Sequence, residues 1–535
     1  MKTFEKLSLY YNTLKYLRFE QVKYRIFYFF RAKWQSLISF RHNYDMPFPK
    51  HTTLKLATSV YTSTDMYLGE KTFCFLNLEK RFSDNINWDF GEFGKLWTYN
   101  LNYFEFLNQK NIRIEDVEIL MTDFVEKLPN LKNANEPFPT SLRIIFWIRF
   151  LVNNKTFADS NKEIIKSLYA QIQILDQSIE FHLYGNHLLE NAFALLHAAY
   201  FFNDKKIYKK AKKILLIELE EQILADGGHF ELSPMYHQLM LYRILDCVNL
   251  VKNNPTLFGG ELLPTLEFNA SKMLSWLRQM TFRNGQIPMF NDAADNIAPA
   301  SQILFEYAAR LNIQSTSIAL KESGYRKFSN KFYELIADVG NIGPNYLPGH
   351  AHSDTLNFEL YIQDTPFIVE VGTSTYQNND RRAEERSTSS HNTVEINGRE
   401  QSEVWGAFRV AKRAKATIIT ENNLTITATH DGYRKIKARH ERKFTFGTRS
   451  ISINDYVCGA STAKAFFFFH PQVLVNLQNN KIQNLNVTLS FEGAEKIELC
   501  GYDYAVGFNK LEKGQKVTIH FTKHLLTTIS IVNGE

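Results

Sequence analysis

The 535-residue sequence predicts a multidomain protein with a helical first half and an antiparallel β second half. Three observations carry this. The chain exceeds the size of one hydrophobic core, with ordinary apolar and charged fractions. Between about residues 115 and 315 apolar residues recur at spacings of three and four. Beyond about residue 340 they alternate with polar ones and are punctuated by turn residues.

In the helical part, Ile164, Ile165, Leu168, Tyr169 and Ile172 form one apolar stripe, and Leu188, Leu189, Ala192, Leu195 and Leu196 another. The breaks Asn203-Asp204-Lys205, Asp226-Gly227-Gly228 and Asn253-Asn254-Pro255 are short, so consecutive helices pair as antiparallel hairpins. Such hairpins stack into a solenoid or curl into an α/α toroid. In the β part, Thr393-Val-Glu-Ile396 precedes the turn pair Asn397-Gly398, and Leu424-Thr-Ile-Thr follows Asn422-Asn423. The Phe466 to Phe469 run reads as a buried strand, and residues 316 to 345, with Gly324, Gly340 and Gly343-Pro344, as the connection between the halves.

The segment from Lys15 to Lys33 is basic and aromatic but lacks the apolar core and small-residue cleavage site of a secretory signal. The expected location is therefore cytoplasmic, with periplasmic or cell-envelope association as the alternative. No stretch is apolar for the roughly 20 residues a membrane span needs. The segment reads as an amphipathic helix packed on the protein itself; the alternative is a helix lying on a membrane face. Cys74, Cys247, Cys458 and Cys500 are scattered without CxxC spacing, as reduced, buried thiols would be. A net charge of +6 is small for this length. It gives no sign of nucleic acid and is compatible with an acidic substrate where cations gather in a cleft.

Candidate chemistry lies in segments far apart in the chain. On a helix beginning near Asn186, Asn186 and Glu190 share one face and His187 and Asn191 the next. The plainer reading is that Gly185-Asn186 caps the helix with Glu190 in its first turns. The loop Asp226-Gly-Gly-His-Phe-Glu-Leu-Ser-Pro-Met-Tyr-His237 opens on glycines and leads into an apolar helix, where scaffolds place functional groups. Ser233-Pro234 is a good helix start, and Tyr236 alone also reads as a core tyrosine. His350, His352 and Asp354 fall on one side of a strand. Glu370 ends the strand Phe367-Ile-Val-Glu, and His391 heads another. Imidazoles with one carboxylate suit zinc (Zn²⁺), although surface histidines explain the same spacing.

Together these segments resemble the heparinase II/III-like polysaccharide lyases, which in turn look like certain alginate lyases. The resemblance is carried by Asn186 to Asn191, Asp226 to His237, Met289-Phe-Asn-Asp292, His350 to Asp354 and Arg386 through His391-Asn-Thr. Trp97 to Tyr103 and Glu136 to Arg143 extend it over most of residues 90 to 445. It implies an incomplete α/α toroid followed by an antiparallel β-sandwich, with an anionic polysaccharide bound between them. The expected divisions are a helical and irregular extension over 1–90, a catalytic toroid over 91–325 and a sandwich over 326–535. By similarity, Asn186 neutralises the uronate carboxylate, Tyr236 is base and acid, and His350 is a second proton-transfer group. His352, Glu370 and His391 fall on positions that hold a structural zinc, with Glu370 where the family commonly has Asp.

The chemistry supports those roles independently. A proton next to a carboxylate is hard to remove until the charge is neutralised, which Asn186 can do by donating to the developing oxyanion. A phenol of ordinary pKa near 10 needs help from His237, His229 or His350 to act as base. Arg143, Arg381, Arg382 and Arg386 are candidates for gripping acidic groups, or else brace loops. His187, Glu190 and His237 are further candidates for binding the substrate, and Trp97, Tyr99, Tyr103 and Trp405 are candidates for stacking on sugars. Two rival functions are a glycoside hydrolase using Glu190, Glu231 and Asp292, and a noncatalytic glycan-binding or polysaccharide-assembly protein.

Overall fold

A computed structural model of the chain describes residues 3–38, 42–57 and 65–532. Two helices open it, α1 (Thr3–Leu14) and α2 (Phe19–Leu37), followed by a small sheet of β1 (Tyr67–Gly69), β2 (Thr72–Phe75) and β3 (Leu78–Arg81). The main helical region runs through α3 (Lys95–Tyr103), α4 (Ile114–Lys127), α5 (Pro137–Asn153), α6 (Lys155–Ser160), α7 (Lys162–Gln177) and α8 (Gly185–Phe202). It continues with α9 (Lys205–Gln222), α10 (Pro234–Asn253), α11 (Leu263–Met280) and α12 (Ser301–Arg310).

Two of the three predicted hairpins are present, α8 with α9 and α10 with α11; across Asp226-Gly227-Gly228 the connection runs over residues 223–233, and α10 packs on α8 instead of on α9. Their turns follow from local chemistry. Asn203 takes the left-handed conformation that ends α8, and Asp204 caps α9 by accepting the backbone N–H groups of Lys206 and Ile207 at 2.8 and 3.0 Å. The helices enclose one large core, into which α8 sends Leu188, Leu189, Ala192, Leu195 and Leu196. This is the incomplete toroid the resemblance implies.

The β half contains β4 (Tyr325–Ser329), β5 (Tyr333–Asp338), β6 (Phe358–Ile362), β7 (Thr365–Ile368), β8 (Val394–Ile396), β9 (Val404–Trp405) and β10 (Arg409–Val410). A short helix, α13 (Asp380–Glu385), lies between β7 and β8. Then come β11 (Ala416–Glu421), β12 (Thr425–His430), β13 (Arg439–Phe446), β14 (Ser450–Cys458), β15 (Ala463–Phe469), β16 (Asn476–Gln478) and β17 (Lys481–Asn484). The last strands are β18 (Val487–Glu492), β19 (Lys496–Gly507), β20 (Lys510–Phe521) and β21 (His524–Ile531).

One sheet has the order β11-β12-β13-β14-β21-β18-β17-β16. The other has β19-β20-β15-β7-β6-β5-β4, with β8 also paired to β15. Neighbouring strands are antiparallel and their inner faces enclose a second core. Alternation places the side chains: in β13 the buried residues are His440, Arg442, Phe444 and Phe446. Arg442 faces Asp455 of β14 in register, and the buried pair bonds at 2.7 Å with His440 donating to the same carboxylate. The phenylalanine run is the buried central strand β15.

Three expectations need correction. Residues 316 to 345 are not merely a connection, because β4 and β5 within them already belong to the sandwich. Residues 67–81 form a sheet in a region expected to be helical and irregular, because Phe73 and Phe75 find a place in the helical core. Among the cysteines Cys247 is buried and Cys74 half-buried, whereas Cys458 and Cys500 are exposed. The basic, aromatic segment is a helix packed on the protein, but with its polar face inward. Gln21 Nε2 donates to the Leu183 carbonyl at 3.1 Å, and the Tyr28 hydroxyl to the Ile179 carbonyl at 2.5 Å.

Candidate active site

The site is assembled where the start of α8, the start of α10 and the first loops of the sandwich meet. Helix α8 opens abruptly, with Tyr184 at φ +66° and Gly185 at φ +61°. A Cβ on Gly185 would lie 2.3 Å from Leu347 Cδ2 and 2.6 Å from Glu231 Oε1, so only glycine fits. Asn186 follows, buried, and its backbone N–H donates to Glu231 Oε1 at 3.0 Å. The cap therefore comes from a carboxylate of the next hairpin, not from Gly185-Asn186 itself. Burial pushes the Glu231 pKa up, against the pull of His350 and the Asn186 N–H.

At the start of α10, Ser233 caps the helix by accepting the Tyr236 N–H at 3.3 Å, which fixes the direction of the Tyr236 side chain. The phenol ring stacks on the His350 imidazole with centroids 3.9 Å apart. The Tyr236 and Tyr376 hydroxyls are 3.2 Å apart. His350 Nδ1 donates to Asp292 Oδ2 at 2.9 Å, which turns Nε2 toward Glu231, 3.6 Å from its Oε2. Glu231 thus lies between Asn186 and His350 and brings the two within a short span. Phe408, well exposed, sets its ring 6.1 Å from that of His350 and 5.1 Å from that of Tyr376.

Asp292 organises the surroundings. It accepts His350, His352 Nε2 at 2.9 Å, and both terminal nitrogens of Arg382 at 2.5 and 2.7 Å. Burial alone would raise its pKa, but the Arg382 fork and the two imidazoles hold it well below the usual carboxylate range. Tyr236 has the opposite balance. Burial above all, with Asp292 and Glu231 nearby, lifts its pKa above that of an ordinary phenol, so the resting side chain is protonated.

The other expected residues divide. His187 is half-buried beside Asn186, its Nδ1 3.1 Å from Glu180 Oε1 and its ring 4.4 Å from that of Phe138. Burial opposes its protonation, but the Glu180 carboxylate prevails and its pKa is raised. Tyr103 packs with Phe138 and the half-exposed Tyr99 in a small aromatic cluster. Glu190 is buried and accepts Arg243 Nε at 3.2 Å.

Trp97, Arg143 and His237 are interior residues and are corrected as substrate contacts. Trp97 is surrounded by Phe75, Phe90 and Phe93. Arg143 donates to Gln171 and to the Asn102 and Ala134 carbonyls. His237 donates to the Met273 carbonyl at 3.0 Å and accepts the His229 N–H at 3.2 Å. Burial brings its pKa down to about 3, and that of His229 well below the usual value, so neither supplies a cation to Tyr236. Trp405 is covered by α1, with Tyr10 edge-on at 5.0 Å and its Nε1 bonded to Thr13. Arg381, Arg382 and Arg386 brace loops: Arg381 bonds Glu385 and the Asp503 carbonyl, and Arg386 the Ala351 and Gly406 carbonyls. Tyr376, Phe408 and the organising role of Asp292 were missed; of these only Asp292 lay in a matching motif.

His352, Glu370 and His391 do come together, with the two rings 5.2 Å apart and His391 Nδ1 bonded to Glu370 Oε2. Glu370 spends its other oxygen on Asn357 Nδ2 at 2.7 Å. The carboxylate is therefore a partner of His391 and not a third free ligand, and among the described residues no group of three or more such side chains is disposed to hold a metal. Two buried imidazole nitrogens, His352 Nδ1 and His391 Nε2, have no protein partner. The set fits a metal only in that part.

Comparisons with known proteins bear on the whole assembly. The model for the heparinase II/III N-terminus matches residues 140–315, and that for the heparinase II/III-like C-terminal region matches 312–531. A heparin-sulfate lyase of Bacteroides stercoris is 23% identical over 349 residues, 59% of this chain and 50% of that protein. A heparin-sulfate lyase of Pedobacter heparinus is 26% identical over 317 residues, 53% of this chain and 45% of its own length. The chain thus spans about half the length of the curated relatives it matches. A crystal structure of heparinase III superposes with a TM-score of 0.67 at 17% identity, covering 85% of this chain and 80% of that one. A second heparinase III structure gives 0.62 at 18% identity, covering 84% and 81%. These likenesses establish the fold.

Proposed function

The chain belongs to the heparinase II/III-like family, and from that premise we propose that it cleaves a uronate-containing anionic polysaccharide by β-elimination. The observation that carries the reading is the face-to-face contact of Tyr236 from the helical half with His350 from the sandwich. Two proton-transfer groups meet beside the start of α8, where the side-chain amide of Asn186 can donate to a carboxylate.

In this mechanism Asn186 donates to the uronate carboxylate and stabilises the oxyanion that develops as the neighbouring carbon loses its proton. His350 Nε2 takes that proton, its Nδ1–H held by Asp292. The bond from the β-carbon to the glycosidic oxygen breaks as the carbon–carbon double bond forms, and the Tyr236 phenol delivers its proton to the departing oxygen. The protonated resting state of Tyr236 supports the acid role directly; a base role requires prior ionisation. Phe408 and Tyr99 offer rings for stacking on sugars, whereas Tyr103 is buried beneath Tyr99 and Phe138. The carboxylates a hydrolase would need are otherwise engaged: Glu190 with Arg243, Asp292 with Arg382, and Glu231 with the start of α8.

The test is a panel of uronate polysaccharides, with heparan sulfate first because the relatives are named heparin-sulfate lyases. Cleavage should create unsaturated ends that absorb in the near ultraviolet. Tyr236→Phe and Asn186→Ala should each abolish that signal, a loss of at least about 100-fold, with little change in melting temperature. Full activity in either variant refutes the mechanism, and saturated reducing ends would point to a hydrolase. Zinc stays a proposal on the two unpartnered imidazole nitrogens alone, and no step above depends on it. Metal analysis of the purified protein should find it in the wild type and lose it in His352→Ala.

A further inference from the structure

The charge of the chain is unevenly distributed. Residues 1–38 contain eight lysines and arginines against two glutamates, so the net charge of +6 lies entirely there and the remaining sequence is balanced. The same segment forms α1 and α2, and α2 is built inside out. Its protein-facing side carries Gln21, Tyr24, Tyr28, Arg31 and Gln35, at the spacing of one helical face. Its outer side carries Phe19, Ile26, Phe30, Trp34 and Leu37, each more than half exposed, with Phe30 and Trp34 at 64%. Leu7, Tyr11 and Leu14 extend an exposed apolar stripe along α1. A contiguous apolar face of this kind is not left bare without a partner.

Its chemistry selects a lipid surface. Lys23 and Lys33 lie exposed along the apolar face, Lys33 Nζ 4.7 Å from the Phe29 ring and Lys23 Nζ 3.2 Å from Glu20 Oε2. A protein covering that face would have to desolvate both ammonium groups. At a bilayer they extend to the phosphates while the rings enter the acyl boundary. Among the described residues no helix is long and apolar enough to cross a membrane, so α2 would lie along the surface.

The helices are also firmly attached. Tyr24 stacks on Phe181 at 4.8 Å, and the Arg18 guanidinium pairs with Glu221 and lies 3.8 Å from the Tyr346 ring. Meanwhile α1 packs on Trp405 of the sandwich. The face is thus fixed to both halves, next to the segment that leads into α8 and Asn186.

We propose that α1 and α2 form an interfacial anchor that docks this protein on an anionic lipid bilayer, with Ile26, Phe30 and Trp34 inserted and Lys23 and Lys33 on lipid phosphates. The inference is independent of the elimination chemistry. The full chain is sedimented with vesicles of phosphatidylcholine alone and with vesicles containing about one-third phosphatidylglycerol. Wild type should bind the anionic vesicles at least about tenfold more tightly and lose that preference at high salt. Ile26→Glu/Phe30→Glu should stay in the supernatant, and Lys23→Glu/Lys33→Glu should lose the anionic preference, both with unchanged melting temperature. The proposal fails if wild type ignores anionic vesicles. It fails equally if sedimentation velocity without lipid shows a dimer that Ile26→Glu/Phe30→Glu dissociates, because the face is then a contact between two copies.

Discussion

Asp292 shows how much of a site can rest on one side chain. It holds the proton of His350 on Nδ1, anchors His352 and neutralises Arg382, all without exposure to solvent. Asp292→Ala should therefore lose activity and also destabilise the fold by about 3–5 kcal/mol, because a buried guanidinium is left unpaired. Urea unfolding measures the second effect, and a loss under about 1 kcal/mol would contradict this view of the network. At this scale the sequence singled out Asn186, Tyr236 and His350, and the fold brings Tyr236 against His350 with Glu231 linking His350 to Asn186. The sequence misled for His237: neighbours on a helix point about 100° apart, so Tyr236 reaches His350 while His237 turns to the Met273 carbonyl. Tyr376 and Phe408 carried no motif and enter the site only because the chain returns there.

Helix ends place the site. Gln222, near the end of α9, donates to the Gly185 carbonyl at 2.9 Å, accepts His229 Nε2 at 3.1 Å and donates to Glu218 at 2.8 Å. Burial pushes the Glu218 carboxyl up to about 7, against about 4.3 in an unfolded chain. A raised folded pKa gives stability that is fully present below pH 4.3 and lost as pH rises through about 7. Glu218→Gln, neutral at every pH, should gain melting temperature over wild type at pH 8 and differ little at pH 4. An equal difference at both values would show that Glu218 is not protonated in the fold. Periodicity located α7 and α8, and the breaks between helices bounded α9 and α10, yet neither could show that Glu231 caps α8, since that contact spans 45 residues. Nor could periodicity say which face of α2 would be covered, because a stripe records polarity and not what packs against it.

On the scale of the molecule, the two halves share a seam. Trp276 from α11, Phe282 and Phe290 pack with Tyr325, Ile336 and Tyr361 of the sandwich, and Trp276 Nε1 donates to Ser323 Oγ at 3.0 Å. Trp276→Ala should cost about 3–5 kcal/mol. Calorimetry should give one unfolding transition for wild type, with the halves separating into two in the variant. Two resolved transitions in wild type would show that the seam does not couple them. The seam also takes in Leu232, which precedes the Ser233 cap, and Phe290, two residues before Asp292, so the same packing that joins the halves sets the distance between Tyr236 and His350.

By itself the sequence determined the order of a helical half and an antiparallel half, the hairpins of α8 with α9 and of α10 with α11, the buried phenylalanine strand and the motifs of the site. Each of these depends on neighbours within a few residues, where period, turn chemistry and capping act. Only the tertiary structure decided that Tyr236 and His350 stack, that Arg143 and Trp97 are interior, that Glu370 is held by Asn357 and His391, and that α2 turns its apolar face outward. Those outcomes depend on burial and on partners dozens to hundreds of residues away, and no local pattern encodes which polar group will find a buried companion.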